Sequence, residues 1–184
     1  MARRPDLVEC WVFRVSAPNA RPELLLIRRA ADQIFAGLWQ CVTGGLEPGE
    51  KVPAAALREV EEETGLGRGA IVGFYDLDQT YEFYDEGADA VVTAVAFAVR
   101  VRPEAEVRLS TEHDAYRWVV RDEALALAVW PAYAESIERI EAHLLDSEAA
   151  RWFELTLDGQ RVARRPKLET LVPRRTSAGQ GGAP

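Results

Sequence analysis

The stretch REVEEETGL, residues 58–66, carries four glutamates, three of them consecutive. Glu59 lies three residues before Glu62 and four before Glu63. At that spacing like charges face one another along a helix, and each pair costs roughly 0.2–0.5 kcal/mol. On a wheel of about 100° per residue with Glu59 at zero, Glu62 falls at about 300° and Glu63 at about 40°. The three carboxylates share one arc of about 100°. Val60, at about 100°, and Leu57, at about 160°, point the apolar face elsewhere. Glu61, at about 200°, leaves the arc and reads as a solvated acid. Arg58, four residues before Glu62, is placed to brace the group.

A solvated acidic face is the plain alternative. Two details weigh against it. The acids crowd the C-terminal half of the helix, where the macrodipole disfavours negative charge. Arg58 is the single cation on their side. A hard divalent cation accounts for both: Mg²⁺ takes oxygen ligands, keeps several waters and shares phosphate oxygens.

The elements that must position this cluster are legible as patterns. A helix is expected from about Pro53, since proline suits a first helical turn. It should stop at Thr64, with Gly65 as its C-terminal cap. Residues 7–15 and 24–29 read as paired strands around a turn at 18–23. Residues 31–45 read as a loop leading into a short buried segment, and 46–50 as a turn. Residues 70–77, 91–101 and 115–120 read as strands, the second nearly all apolar and so interior to a sheet. The polar, aromatic stretch 78–89 lies between the first two. Residues 122–128 and 131–153 have helical patterns, with Ile137, Ile140 and Leu144 on one face. A hairpin is expected at 153–164 around Asp158-Gly159, and 176–184 reads as a flexible tail. Strands and helices mix without strict alternation, which argues for one α/β sandwich with a mixed sheet.

Composition narrows the function classes. The chain has 184 residues, 48% of them hydrophobic, enough for one domain with a sizeable core. No apolar run reaches the ~20 residues of a membrane span, and no secretory leader is evident at the N-terminus. Cys10 and Cys41 are the only cysteines. They fit a reducing cytoplasm, and Cys41 reads as a small buried residue or, alternatively, a nucleophile. The net charge is −8, yet Arg161, Arg164, Arg165, Lys167, Arg174 and Arg175 stand against Glu169 alone after residue 160. The remainder has 16 basic and 29 acidic residues, a balance of −13. Such a body repels nucleic-acid polymers but admits a small polyanion bridged by cations.

Gly44, Glu50, Arg58, Glu59, Val60, Glu62, Glu63, Gly65 and Leu66 follow the Nudix hydrolase box at every position and spacing. The resemblance implies a Nudix α/β/α sandwich with a mixed β-sheet. It also implies a Mg²⁺-dependent hydrolase, with Mn²⁺ as a substitute, that cleaves a diphosphate linked to some group X. Carried across, Glu59, Glu62 and Glu63 resemble metal ligands, with one possible base among them, and Arg58 the residue that orients them. Glu50 resembles an auxiliary group bracing the ligands. Gly44 lets backbone pass close to the metal, where its carbonyl or that of Thr43 can ligate. Positioning and electrostatics then supply most of the barrier reduction.

Outside the box, STEHDAYRWV (110–119), LWQCVTG (38–44) and WPAYAESIERI (130–140) resemble the bacterial dihydroneopterin triphosphate diphosphatases within that family, over roughly residues 7–146. The likeness implies that Glu112 ligates metal or acts as a base. His113 is then a catalyst or a hydrogen-bonding loop anchor. Arg28 or Arg29 can clamp a phosphate, and Trp39 can stack on a ring or pack in the core. Tyr81, with Phe83 and Tyr84, can line a ring pocket or make a homodimer contact. Residues 1–153 would be the hydrolase domain and 154–184 an added hairpin with a basic tail. The expected substrate is a nucleoside or pterin triphosphate. ADP-ribose, a dinucleoside polyphosphate and a non-catalytic nucleotide sensor are the alternatives.

Overall fold

The computed structural model describes residues 3–17 and 20–163. Strand β1 (Leu7–Arg14) has six of its eight residues buried and organises the sheet. Its second half pairs antiparallel with β2 (Glu23–Arg29), Phe13 opposite Leu24. Its first half pairs instead with β4 (Val42–Gly45), Val8 opposite Gly44. One side of β1 therefore forks into two branches. On the other side β1 runs parallel to β6 (Ala90–Val101), and β6 pairs antiparallel with β5 (Ile71–Asp85). Strands β3 (Trp39–Gln40) and β7 (His113–Val119) both pair with β2, completing a mixed seven-stranded sheet.

Alternation along β1 sends side chains to two cores. Val8, Cys10 and Val12 pack with Leu57 and Val60 of helix α1 (Val52–Thr64). Trp11 and Phe13 pack on the opposite face with Tyr133 and Ile137 of helix α3 (Pro131–Arg139) and Ala124 of α2 (Arg121–Leu127). Burying a side chain such as Leu57 or Val60 is worth roughly 1.5–3 kcal/mol. Helices thus cover both faces of one mixed sheet, as the pattern predicts. Both cysteines are buried free thiols. No helix among the described residues is long and apolar enough to cross a membrane.

Helix α1 begins and ends where expected. Pro53 sits in its first turn, and Gly65 closes it at φ 69°, its N–H donating to the Glu61 carbonyl. Two expectations need correction. The strand expected at 70–77 runs on as β5 to Asp85, past an irregularity between Asp76 and Gln79, so the 78–89 stretch lies in a hairpin with β6. The 131–153 helix is not continuous. It widens at Ile140–Leu144 and restarts as α4 (Ser147–Ala150), because the Asp146 side chain accepts from Glu148 N at 2.8 Å and caps a new helix. Around Asp158-Gly159, where a small hairpin is expected, Leu155 is bridged antiparallel to Arg161, and Glu154 to Tyr75 on the edge of β5. The tail at 176–184 lies outside the described residues, as do Pro18 and Asn19 of the first turn and Arg164, Arg165, Lys167, Arg174 and Arg175.

Candidate metal and diphosphate site

Arg58 stands at the centre of the acidic cluster with all five of its N–H groups engaged. Nε and Nη2 fork onto the two oxygens of Glu50 at 2.9 and 3.0 Å. Nη1 reaches Glu59 at 2.8 Å and Glu62 at 2.9 Å, and Nη2 also donates to the Gly45 carbonyl at 2.9 Å. A guanidinium has five donors in a rigid plane, so one side chain fixes three carboxylates and a strand end. The fork holds the Glu50 carboxyl below its ordinary range.

Glu59 projects over β4. A Cβ at Gly44 would overlap the Glu59 carboxylate, so a larger residue there would push that carboxylate aside. Burial raises the Glu59 carboxyl despite Arg58. Glu63 lies deeper than the wheel implies: it is 5% exposed, while Glu61 and Glu62 face solvent. Burial, then the charges of Glu59 and Glu112, push its carboxyl up to about 8, partly opposed by Arg29 and a backbone hydrogen bond from Thr43. Its Oε2 is buried and has no hydrogen-bond partner among the described residues.

The fork in the sheet brings the second branch to this point. Glu112 precedes β7, and its backbone carbonyl accepts from Ala30 N at 2.8 Å. Arg29 ends β2 and donates from Nη1 to Glu112 Oε2 at 3.2 Å. Five carboxylates (Glu50, Glu59, Glu62, Glu63, Glu112) thus meet two guanidiniums, Arg29 and Arg58.

The residues fit a hard divalent cation. The donor set is all oxygen, one buried oxygen lacks a partner among the described residues, and Gly44 leaves room at the Glu59 carboxylate. Among the described residues no three such side chains already enclose a point, because Glu59 and Glu62 lean onto Arg58. Mg²⁺ keeps several waters and needs no closed protein cage.

Among the described residues, Arg28, Trp39, His113 and Tyr81 make no side-chain hydrogen bond to these five carboxylates. Arg28 contacts Asp114 at 2.6 Å, and its guanidinium carbon sits 5.7 Å from the centre of the Trp39 ring. Arg117 covers the same ring at 4.9 Å, and Trp39 packs against the second core. His113 is 4% exposed, and neither ring nitrogen has a hydrogen-bond partner among the described residues. Burial first, then the charge of Arg29, lowers its pKa from the ordinary histidine value, partly opposed by Glu112 and Asp114. Tyr81 donates to Glu9 Oε2 at 2.5 Å, and its ring lies 6.3 Å from Phe83.

Sequence reasoning missed Glu9. It is fully buried on β1 and accepts from Trp11, Tyr81 and Ser136. The signal was present: a lone acid inside the apolar run LVECWVF. A separate cavity of about 1150 Å³, lined by Arg21, Arg100 and Arg121 among others, opens at the far end of the sheet. It shares no residue with the carboxylate cluster.

Comparison with known proteins places this geometry. An octanoyltransferase of Myxococcus xanthus is 41% identical over 137 residues, 73% of this chain and 36% of that protein. An asymmetrical bis(5′-nucleosyl)-tetraphosphatase of Sus scrofa is 37% identical over 93 residues, 49% of this chain and 60% of that protein. The chain therefore covers less than two thirds of either curated relative. The solved Escherichia coli dihydroneopterin triphosphate pyrophosphohydrolase superposes with a TM-score of 0.61 at 26% identity, over 74% of this chain and 94% of that one. The family described as NUDIX domain matches residues 9–140. That span runs from β1 into α3 and takes in the whole carboxylate cluster, and the chain belongs to the NUDIX family.

Proposed function

We propose that the chain is a Mg²⁺-dependent hydrolase that cleaves a diphosphate linkage in a nucleoside or pterin triphosphate, with Mn²⁺ able to substitute. The observation that carries this reading is the surplus of carboxylate over guanidinium around Glu63 among the described residues, where its buried Oε2 has no partner. A bound divalent cation would neutralise the diphosphate and lower the pKa of water. Glu59, Glu62 and Glu63 are the side chains that would hold it, with Gly44 backbone alongside. Arg58 keeps Glu59 and Glu62 aimed. Glu112 accepts the proton of the attacking water or adds a ligand, and Arg29 holds it in place and offers donors to a phosphate oxygen.

The pyrophosphohydrolase likeness favours a triphosphate substrate. The tetraphosphatase likeness supports a dinucleoside polyphosphate as the second reading. The transferase likeness touches 36% of that protein and brings no acyl chemistry to this site. A small-molecule role in the cytoplasm fits two free buried thiols. The test is a panel of nucleoside, sugar and pterin di- and triphosphates incubated with Mg²⁺ and assayed for phosphate-containing products. Turnover of the nucleoside or pterin compounds supports the reading, and no turnover of any member contradicts it.

A further inference from the structure

We propose that Phe35 and Trp130 form an aromatic lip that stacks on the planar ring of the group X, a reading that rests on the proposed hydrolase function. Phe35 is 65% exposed and Trp130 42% exposed, yet their rings meet edge to face at 5.9 Å and 77°. Ile34 and Val129 beside them are also bare, at 75% and 61%. Phe35 has φ 60°, a left-handed conformation that is costly for a bulky side chain. The loop holds it there by several bonds. Leu38 N donates to the Phe35 carbonyl at 3.0 Å, and Gly37 N to Arg29 O at 2.9 Å. Strain at an exposed aromatic contributes nothing to the core, and strain of this kind clusters at ligand clamps.

The lip is tied to the acidic cluster. Arg29 Nε donates to the Ile34 carbonyl at 3.2 Å while Nη1 donates to Glu112. Ala30 N, at the start of the loop, donates to the Glu112 carbonyl. The same two residues therefore position a carboxylate of the cluster and the base of the aromatic lip. A substrate with its phosphates at the carboxylates brings its X group to this edge. Two exposed aromatics suit a heteroaromatic ring, whose face stacks whatever its substituents. Trp39 does not serve this purpose, since Arg28 and Arg117 already lie over its ring.

The test compares a nucleoside triphosphate with ribose 5-triphosphate, which lacks the ring, in the wild type and in Phe35→Ala, Phe35→Tyr and Trp130→Ala. The alanine variants should raise KM for the nucleoside triphosphate roughly tenfold with kcat within about twofold. The preference for the ringed substrate should shrink by the same factor, and Phe35→Tyr should restore it. Phe35→Gly relieves the positive φ, so it should raise KM without lowering the thermal midpoint, which a purely structural role would not do. KM values within about twofold of wild type, or an equal rise for both substrates, would overturn the lip. If the wild type turns over no triphosphate, the hydrolase reading is what fails. Calorimetric binding of a methylene-bridged nucleoside triphosphate then decides the lip: roughly tenfold weaker binding in Phe35→Ala supports it, and equal or absent binding overturns it.

Discussion

Arg58 and Glu50 are joined by two parallel hydrogen bonds of 2.9 and 3.0 Å, eight residues apart in the chain. The fork anchors the guanidinium so that its remaining donors hold Glu59, Glu62 and the Gly45 carbonyl. Lysine cannot reproduce it, having three donors and no plane. Arg58→Lys should therefore lower kcat/KM about 10–100-fold, the range for residues that orient metal ligands. Circular dichroism should report an intact fold. Wild-type kinetics would mean the fork does not position the carboxylates.

Glu62→Gln should cut turnover by orders of magnitude and leave stability within roughly 0.5 kcal/mol, because relieved repulsion offsets a lost exposed ion pair. Glu62 is 58% exposed and bonded to Arg58 alone in that cluster, so it has no packing role to lose. Steady-state kinetics with a denaturation curve checks both halves. Full turnover would remove Glu62 from the site.

Glu9 sets a pH dependence of stability. The Ser136 hydroxyl lies 3.0 Å from Glu9 Oε1, 2.8 Å from Gln79 Oε1 and 3.3 Å from the Ala132 carbonyl, yet it has one proton. Ser136 therefore bonds Glu9 only when it turns from Gln79 and Ala132. Burial raises the Glu9 carboxyl from its ordinary 4.5 despite the bonds from Tyr81, Trp11 and Ser136. The folded protein then holds a proton that the unfolded chain releases. This stability is present below about 4.5 and is lost as pH rises toward the folded value. The wild-type thermal midpoint should fall across that window, and Glu9→Gln should flatten the fall. Parallel slopes would show that Glu9 is ionised in its pocket.

Helix α1 was legible because its cues are local: a proline, a glycine cap and a 3.6-residue period. The depth of Glu63 was not, since a wheel gives direction but not which strand packs above it. The extension of β5 was hidden by its Asp, Gln and Glu residues, which lower strand propensity while cross-strand pairing with β6 overrides it. The break before α4 was readable in Asp146, an N-cap residue type, but the apolar spacing outweighed it. Glu112, Arg29 and the Phe35 loop are joined by long-range pairing of β2 with β7, which no periodicity encodes.

Glu112→Gln should lower kcat much more than it raises KM, because a base acts chiefly in the transition state. The deficit should shrink at high pH, where hydroxide needs no base. A pH–rate profile of wild type and variant at saturating Mg²⁺ measures both. Parallel profiles of near-equal kcat would leave Glu112 as a surface acid bound to Arg29.

The most direct test is hydrolysis of a nucleoside or pterin triphosphate by the purified chain as Mg²⁺ is removed and restored. The carboxylate cluster predicts turnover in the millimolar range of Mg²⁺, abolition by chelator, and recovery on adding Mg²⁺ or Mn²⁺. Full activity in a chelator-treated, metal-free sample would contradict it.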